Sequence, residues 1–402
     1  MGTFSQIKPA LRTENITYAV RDIVVLANEV AKKGKKMLYL NIGDPNIFDF
    51  QTPAHIIEAT YQAMRANMNG YSPSSGIKEA LGAIEGQACA KGIENILDIF
   101  ITTGVSEAID ICFTALVNHG ENVLTPTPRY PLYSAILNKL GARLNPYYLD
   151  EKNEWQPDLE DISSKIDGKT RGIVLINPNN PTGSVCTEQT MRGIIRLALE
   201  HNLVVFADEI YDKLLLDEGR HISIASLDRD VSVITFNGLS KAYVVPGFRL
   251  GWAVVSGRTE VLGEYVEAIN KLLRARLCAN HPEQYAIKAA LEGDQSHLDQ
   301  MRTKLRHRRD MTYEMLNSCA GISCVKPRGA FYAFPRLEIE GSDASFVREL
   351  ITQTGVVVVP GSGFGQAPGT QHFRVVFLPP EDVLKEAYTK ISQFLDTYIA
   401  RQ

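Results

Sequence analysis

The sequence is thin in the features that usually announce special chemistry. It has six cysteines in 402 residues: Cys89, Cys112, Cys186, Cys278, Cys319 and Cys324. No two form a Cys-x-x-Cys pair, and none joins histidines at zinc-ligand spacing. Six reduced structural thiols are the expectation. There is no His-Glu-x-x-His and no EF-hand loop, so no dedicated metal site is expected. No apolar run approaches the roughly 18 residues of a membrane span. Charge of one sign is missing as well. With 42 basic and 46 acidic residues the net charge is −4, which leaves no footprint for nucleic acid or a membrane surface. Internal repeats and low-complexity segments are absent. The first eleven residues are polar and mixed, without the apolar core of a signal peptide. These absences predict a soluble cytoplasmic protein with neither a membrane nor a nucleic-acid partner.

What is present is ordinary globular material, 45% hydrophobic and 22% charged, enough for a large core in two or three domains. Apolar residues recur with helical spacing over 23–33, 53–67, 106–117, 188–201, 258–273, 281–291, 296–317, 345–354 and 381–398. Between the middle helices lie short apolar runs at 99–101, 122–124, 172–176, 203–207, 232–236 and 251–255. Unbroken apolar runs are what strands buried on both faces look like. Strands alternating with helices predict an α/β fold with a mostly parallel sheet over residues 50–290. Residues 1–49 and 291–402 would form a smaller α+β domain built from both chain ends.

In such sheets ligands gather beyond the carboxyl ends of the strands, so the polar residues there carry the functional reading. After the first run come Gly104, Val105 and Ser106, opening a helix. Gly104 permits a tight turn, and the free amides of Val105 and Ser106 suit a phosphate, although Ser106 as a plain helix cap also fits. After residue 176 the segment Asn177-Pro178-Asn179-Asn180-Pro181-Thr182-Gly183 specifies a rigid loop. After residue 207 stands Asp208, followed by Glu209, Ile210 and Tyr211; a carboxylate there needs a cationic or hydrogen-bonded partner. After residue 236 come Ser240 and Lys241, with Arg249 eight residues beyond the lysine. A desolvated lysine amine is a nucleophile toward carbonyls. Each signal has a bland alternative: a cap, a turn, a solvated lysine. Together they suit one ligand, pyridoxal 5′-phosphate. It needs a lysine for its aldehyde, an acid at its ring nitrogen, and amides plus a cation at its phosphate.

At this point the sequence resembles the class I aminotransferases of the aspartate aminotransferase superfamily, pyridoxal phosphate fold type I. The residues that carry the resemblance are the 177–183 loop, Asp208 to Tyr211, Ser240-Lys241, the segment from Gly247 through Arg249 to Trp252, and Phe373-Arg374. The match spans essentially the whole chain. Residues 40–45, 237–241 and 276–280 resemble the alanine aminotransferase branch. The resemblance implies that Lys241 holds the cofactor as a Schiff base and moves the substrate α-proton. Asp208 would pair with the ring nitrogen. Tyr211 would hydrogen-bond the ring 3-oxygen beside Asn180. Gly104, Val105, Ser106 and Arg249 would hold the phosphate, with Ser240 contributing. Tyr130 would stack on the ring. Arg374 would clamp the α-carboxylate bidentately, with Asn180 and the Gly43 backbone. Tyr71 would reach the phosphate of a neighbouring subunit, which implies a homodimer with shared sites. Amino-acid and 2-oxo-acid substrates follow.

Two departures stand out. Gly238 occupies a position three residues before the lysine where many relatives have serine, and Tyr130 replaces a tryptophan. Side-chain recognition is less legible. Tyr18, Arg21 and Ile42 belong to the segment expected to close over the substrate, and Arg21 or Arg276 could meet a second carboxylate. With no marker for a dedicated second arginine, alanine exchanging with 2-oxoglutarate is the preferred reading. Aspartate, aromatic or branched-chain aminotransfer, a β-lyase, and an inactive aminotransferase-like binding or regulatory protein remain as alternatives. Residues 360–365 read as a turn between strands, and the basic run 302–309 as a solvated helix face.

Overall fold

The computed structural model describes residues 7–14, 16 and 19–401, with side chains from residue 23 in the last stretch. Its centre is an eight-stranded sheet in the order Ile96–Thr103, Leu250–Ser256, Val233–Gly238, Val204–Asp208, Thr170–Ile176, Asn122–Thr127, Arg143–Asp150 and Gln156–Pro157. The four central pairings are parallel. Leu250–Ser256 runs antiparallel to both of its neighbours, and Gln156–Pro157 closes the far edge antiparallel. The chain is thus an α/β protein with a mostly parallel sheet.

Every residue of Val204–Asp208 is buried, because helices cover both faces. Side chains alternate along the strand. Val204 and Phe206 pack among Phe113, Tyr133 and Phe236, under the helices Val105–Leu116, Leu132–Leu140 and Thr259–Ala275. Val205 and Ala207 pack on the opposite face with Ile194 of the helix Glu188–His201. The period of two therefore turns Asp208 toward the Phe206 and Tyr133 side.

The chain ends meet outside this sheet. Leu38–Tyr39 pairs in parallel register with Val356–Val357. Gln371–Val376 pairs antiparallel with Tyr332–Ala333, Arg336–Leu337 and Val359–Pro360. The helices Ala19–Lys32, Ser296–Asn317, Asp343–Thr354 and Glu381–Ile399 bury their apolar residues around these strands. Residues 361–364 form a single turn of 3-10 helix ahead of the strand Gln371–Val376, as the glycine-rich run suggests.

The basic run 302–309 departs from expectation. Arg308 and Arg309 are 1% and 2% exposed rather than solvated. Arg308 donates to Asp49 at 2.9 and 2.8 Å and to Glu381 at 3.2 Å, and lies over the Phe50 ring. Arg309 donates to Asp217 at 2.9 Å, to Asp310 at 2.6 Å and to the Pro327 carbonyl. Long guanidinium stems fill core space while their heads meet carboxylates supplied from distant segments, which local periodicity cannot foresee. Among the described residues no helix is long and apolar enough to cross a membrane, and no group of three or more His, Cys, Asp or Glu is arranged around a metal.

Candidate active site

A cavity of about 260 Å³ opens beyond the carboxyl ends of the parallel strands. Gly43, Val105, Ser106, Tyr130, Asn180, Asp208, Tyr211, Ser240, Lys241, Arg249 and Arg374 all line it. Five loops that follow strands and two segments from the chain ends thus converge on one volume. A larger hollow of about 790 Å³, lined by Lys91, Arg220 and Arg302 among others, contains none of the residues assigned to the cofactor or substrate from the sequence.

Asp208 ends its strand 4% exposed. Its Oδ2 accepts the Tyr133 hydroxyl at 2.9 Å, and its Oδ1 accepts the Ile210 amide at 3.3 Å. Burial raises its pKa to about 6, against the pull of those two donors. The partner that the sequence demanded for this carboxylate is therefore a phenol and an amide rather than a cation. Lys241 follows the strand Val233–Gly238 and donates from Nζ to the Gly43 carbonyl at 2.9 Å. Burial, with help from Arg374 and Arg249, lowers its pKa to about 8, while Asp44 and Asp208 oppose the shift. An amine so placed is partly neutral near physiological pH, the state in which it attacks a carbonyl.

The helix Val105–Leu116 begins at the cavity with Gly104 as its N-cap at φ 76°, a conformation that favours glycine. A Cβ at Gly104 would also strike the Arg249 guanidinium. Gly104, not Ser106, is therefore the cap, and it lets the guanidinium lie against the first turn. The first amides of a helix have no intrahelical acceptor, so this corner offers amides and a cation together. Ser240 faces the same cavity. At Gly238 a Cβ would come within 2.6 Å of the Leu250 carbonyl, so the close approach of neighbouring strands excludes a serine there.

At the opposite end Arg374 projects from Gln371–Val376. Its Nη1 donates to Asn180 Oδ1 at 3.2 Å and its Nη2 to the Asn41 carbonyl at 2.7 Å. The guanidinium lies between the rings of Tyr332 and Phe364, with centroids at 4.8 and 4.6 Å. Two held nitrogens and two flat walls orient a fork suited to a carboxylate. Tyr211, buried, bonds hydroxyl to hydroxyl with Tyr332 at 2.9 Å. Burial pushes the Tyr211 phenol well above its usual pKa and keeps its proton in place.

Some expected residues lie elsewhere. Tyr71 is 81% exposed and outside the cavity. Arg276 is also absent from it; the guanidinium donates to Glu107 at 3.2 Å and to the carbonyls of Ser74 and Ile101. Tyr18 lies outside the described residues, and Arg21 is described only as backbone of Ala19–Lys32. Sequence reasoning missed Tyr133, Tyr332 and Asn41. The first sits in the same Pro-Arg-Tyr-Pro-Leu-Tyr stretch as Tyr130, so a tyrosine three residues on was a readable hint. The other two are reached only through long-range strand pairing.

The donors fit pyridoxal 5′-phosphate. The cavity holds an amine of lowered pKa, a buried carboxylate, a helix N-terminus beside an arginine, and the Tyr130 ring. The chain matches the family "Aminotransferase class I and II" over residues 35–391. It is 41% identical to the glutamate-pyruvate aminotransferase AlaA of Escherichia coli K12, covering 98% of this chain and 99% of that one. It is 39% identical to the alanine aminotransferase of Mycobacterium tuberculosis H37Rv, covering 96% and 92%. Among solved structures, the alanine aminotransferase of Pyrococcus furiosus superposes with a TM-score of 0.94 at 42% identity, covering 97% of this chain and all of that one. A Thermus thermophilus aspartate aminotransferase variant superposes at 0.87 with 27% identity over 97% of this chain and all of that one. Site geometry, sequence and fold agree that this chain belongs to the class I and II aminotransferases.

Proposed function

We propose that the chain moves an amino group between alanine and 2-oxoglutarate, using pyridoxal 5′-phosphate held in the 260 Å³ cavity. The observation that carries this is that Lys241, Asp208 and Arg374 line one cavity, with the last two near enough to act on the charge of the lysine. Bound there, the cofactor would supply an aldehyde carbon and an electron-accepting pyridine ring. The chain's own residues would do the rest. Asp208 keeps a proton on the ring nitrogen. Tyr211 and Asn180 hold the ring oxygen. Tyr130 covers one face of the ring. Gly104, Val105, Ser106, Ser240 and Arg249 bind the phosphate. Arg374, with Asn180 and the Gly43 backbone, fixes the substrate carboxylate and so aims the α-hydrogen at Lys241 Nζ. That amine takes the proton from one carbon and returns it to another.

Alanine is favoured because relatives near 40% identity over nearly the whole chain bear alanine names. The described cations lining the cavity are Lys241, Arg249 and Arg374, all assigned above, which suits a small uncharged side chain. A second copy of the chain would complete the site with Tyr71. Ile57, Tyr61, Met64 and Met68, a few residues earlier in the chain, are exposed apolar side chains of the kind a homodimer covers. Residues 50–290 would be the cofactor domain, with 1–49 and 291–402 closing over the substrate, in a cytoplasmic enzyme.

The test is a half-reaction titration. The purified protein, loaded with pyridoxal phosphate, is given single amino acids while its absorbance is followed. Conversion to the pyridoxamine band by both alanine and glutamate supports the proposal. Response to glutamate but not alanine moves the second substrate elsewhere. Folded protein that develops no visible band removes the basis for Lys241.

A further inference from the structure

Tyr332 touches three of the groups given a role in the cavity: Arg374, Tyr211 and the Gly43 backbone. It lies on the strand Tyr332–Ala333, paired in register with Val376 and Val375, beside the strand that carries Arg374. Its ring is one of the two walls on which the Arg374 guanidinium rests. Its hydroxyl is 2.9 Å from that of Tyr211, and the two rings meet edge to face at 89°. A Cβ at Gly43 would collide with the same hydroxyl, so the backbone whose carbonyl receives Lys241 Nζ is pressed against it. Both tyrosines are buried, 2% and 3% exposed, so bulk water does not compete for their protons.

A phenol has one proton to give. If Tyr211 spends its proton on Tyr332, it turns lone pairs toward the cofactor's ring oxygen and repels it. If Tyr332 donates to Tyr211, the Tyr211 proton is left for the ring oxygen, and the two bonds strengthen each other along the chain. We propose that Tyr332 is a positioning residue: its hydroxyl donates to Tyr211 Oη and commits the Tyr211 proton to the ring oxygen of the bound cofactor. The inference rests on the pyridoxal phosphate reading above.

The test compares the cofactor-loaded wild type with Tyr332→Phe, Tyr211→Phe and the double variant, by pH titration of visible absorbance. A weaker donor leaves the ring oxygen more basic, so it holds the proton it shares with the lysine-bound nitrogen to higher pH. The midpoint of Tyr332→Phe is expected to rise by about half a pH unit, roughly a three-fold change in proton dissociation. Tyr211→Phe should raise it further, and adding Tyr332→Phe to that background should change nothing. Because phenylalanine keeps the wall under Arg374, KM for alanine should stay within about two-fold while kcat falls. An unchanged midpoint, or the same shift in both backgrounds, overturns the inference and leaves the enzyme assignment intact. A wild type that takes up no cofactor overturns the underlying reading, and the inference with it. Should Tyr332→Phe not fold, 3-fluorotyrosine at position 332 makes a stronger donor without loss of an atom. It should move the midpoint down, and a midpoint that does not move refutes the relay.

Discussion

Replacing Tyr133 by phenylalanine removes one oxygen from the site and leaves the ring packed among Phe113 and Phe206. What is lost is the 2.9 Å hydrogen bond to Asp208 Oδ2. Asp208 then keeps the longer bond from the Ile210 amide at 3.3 Å. Burial has already raised this carboxyl to about 6, and the Tyr133 hydroxyl is the largest influence holding it down. A hydrogen bond to an ionised group contributes about 1.5–3 kcal/mol, or about 1–2 pK units. The midpoint in Tyr133→Phe should therefore lie at about 7–8, and at pH 7 the ionised share should fall from about nine-tenths to about half or less. Infrared difference spectra of the cofactor-free protein against pH, with Asp208→Asn as the blank, read the carboxyl band directly. In the loaded enzyme kcat/KM should drop about two- to ten-fold at pH 7 and recover part of that loss by pH 8.5, as Asp208 ionises again. A carboxyl midpoint that stays near 6, or moves down, would refute the claim that Tyr133 sets the charge state of Asp208.

Four further outcomes follow from the same geometry. Lys241→Ala should abolish transamination, and borohydride reduction should leave no cofactor attached to the chain. Arg374→Lys replaces a fork held by Asn180 and Asn41 with a point charge; kcat/KM should fall about 100-fold for every amino acid, mostly through KM. Asp208 titrates higher in the folded than in the unfolded chain, so its contribution to stability is present below about pH 4 and lost as pH rises through about 6. Cofactor-free Asp208→Asn should accordingly melt about 2–4 °C above wild type at pH 8, with the gap closing by pH 4, while activity collapses. Asp49 is held down at about 2 by Arg308, so its contribution is present above about pH 4 and lost as pH falls through about 2. Asp49→Ala should cost about 1–2 kcal/mol at neutral pH by denaturant melting, less than a fully buried pair because Asp49 is 40% exposed.

The parts of the fold that could be read from the sequence are those where burial is one-sided or complete. Helices 188–201 and 296–317 have the expected bounds; in the first, polar and apolar residues alternate with a clear period over several turns. The helix Lys78–Ala90 was not anticipated. Its sequence is rich in alanine and glycine, so its buried and exposed faces differ little in hydropathy. The strand Arg143–Asp150 also escaped, since its inner positions alternate with half-exposed ones and a proline interrupts it. At the site, residues that follow a strand were identifiable because topology gives strand ends their meaning. Asn41 lies just past a short strand whose partner is at residues 356–357, Tyr332 lies on a two-residue strand paired with residues 375–376, and the buried Arg308 meets carboxylates from residues 49 and 381. No local period encodes such meetings.

One physical cause shapes both working groups of the cavity. Burial lifts Asp208 from an ordinary 3.8 to about 6 and lowers Lys241 from an ordinary 10.5 to about 8. In water a carboxylate and an ammonium are both charged across most of the pH scale; here the interval shrinks to about pH 6–8. Below it Asp208 is neutral and gives a ring nitrogen no counter-ion. Above it Lys241 is neutral and free to attack an aldehyde. The two demands of the chemistry, an ionised acid and an amine that sheds its proton easily, are thus met together from about pH 7 upward. The Tyr133 hydroxyl guards the lower edge of that range, and the surrounding guanidinium groups of Arg374 and Arg249 depress the upper one. A variant that merely opened the cavity to water would push both pKa values back toward their ordinary positions. It would keep the acid charged but leave the amine protonated, so its loss of activity should be recoverable by raising the pH, in contrast to the loss in Lys241→Ala.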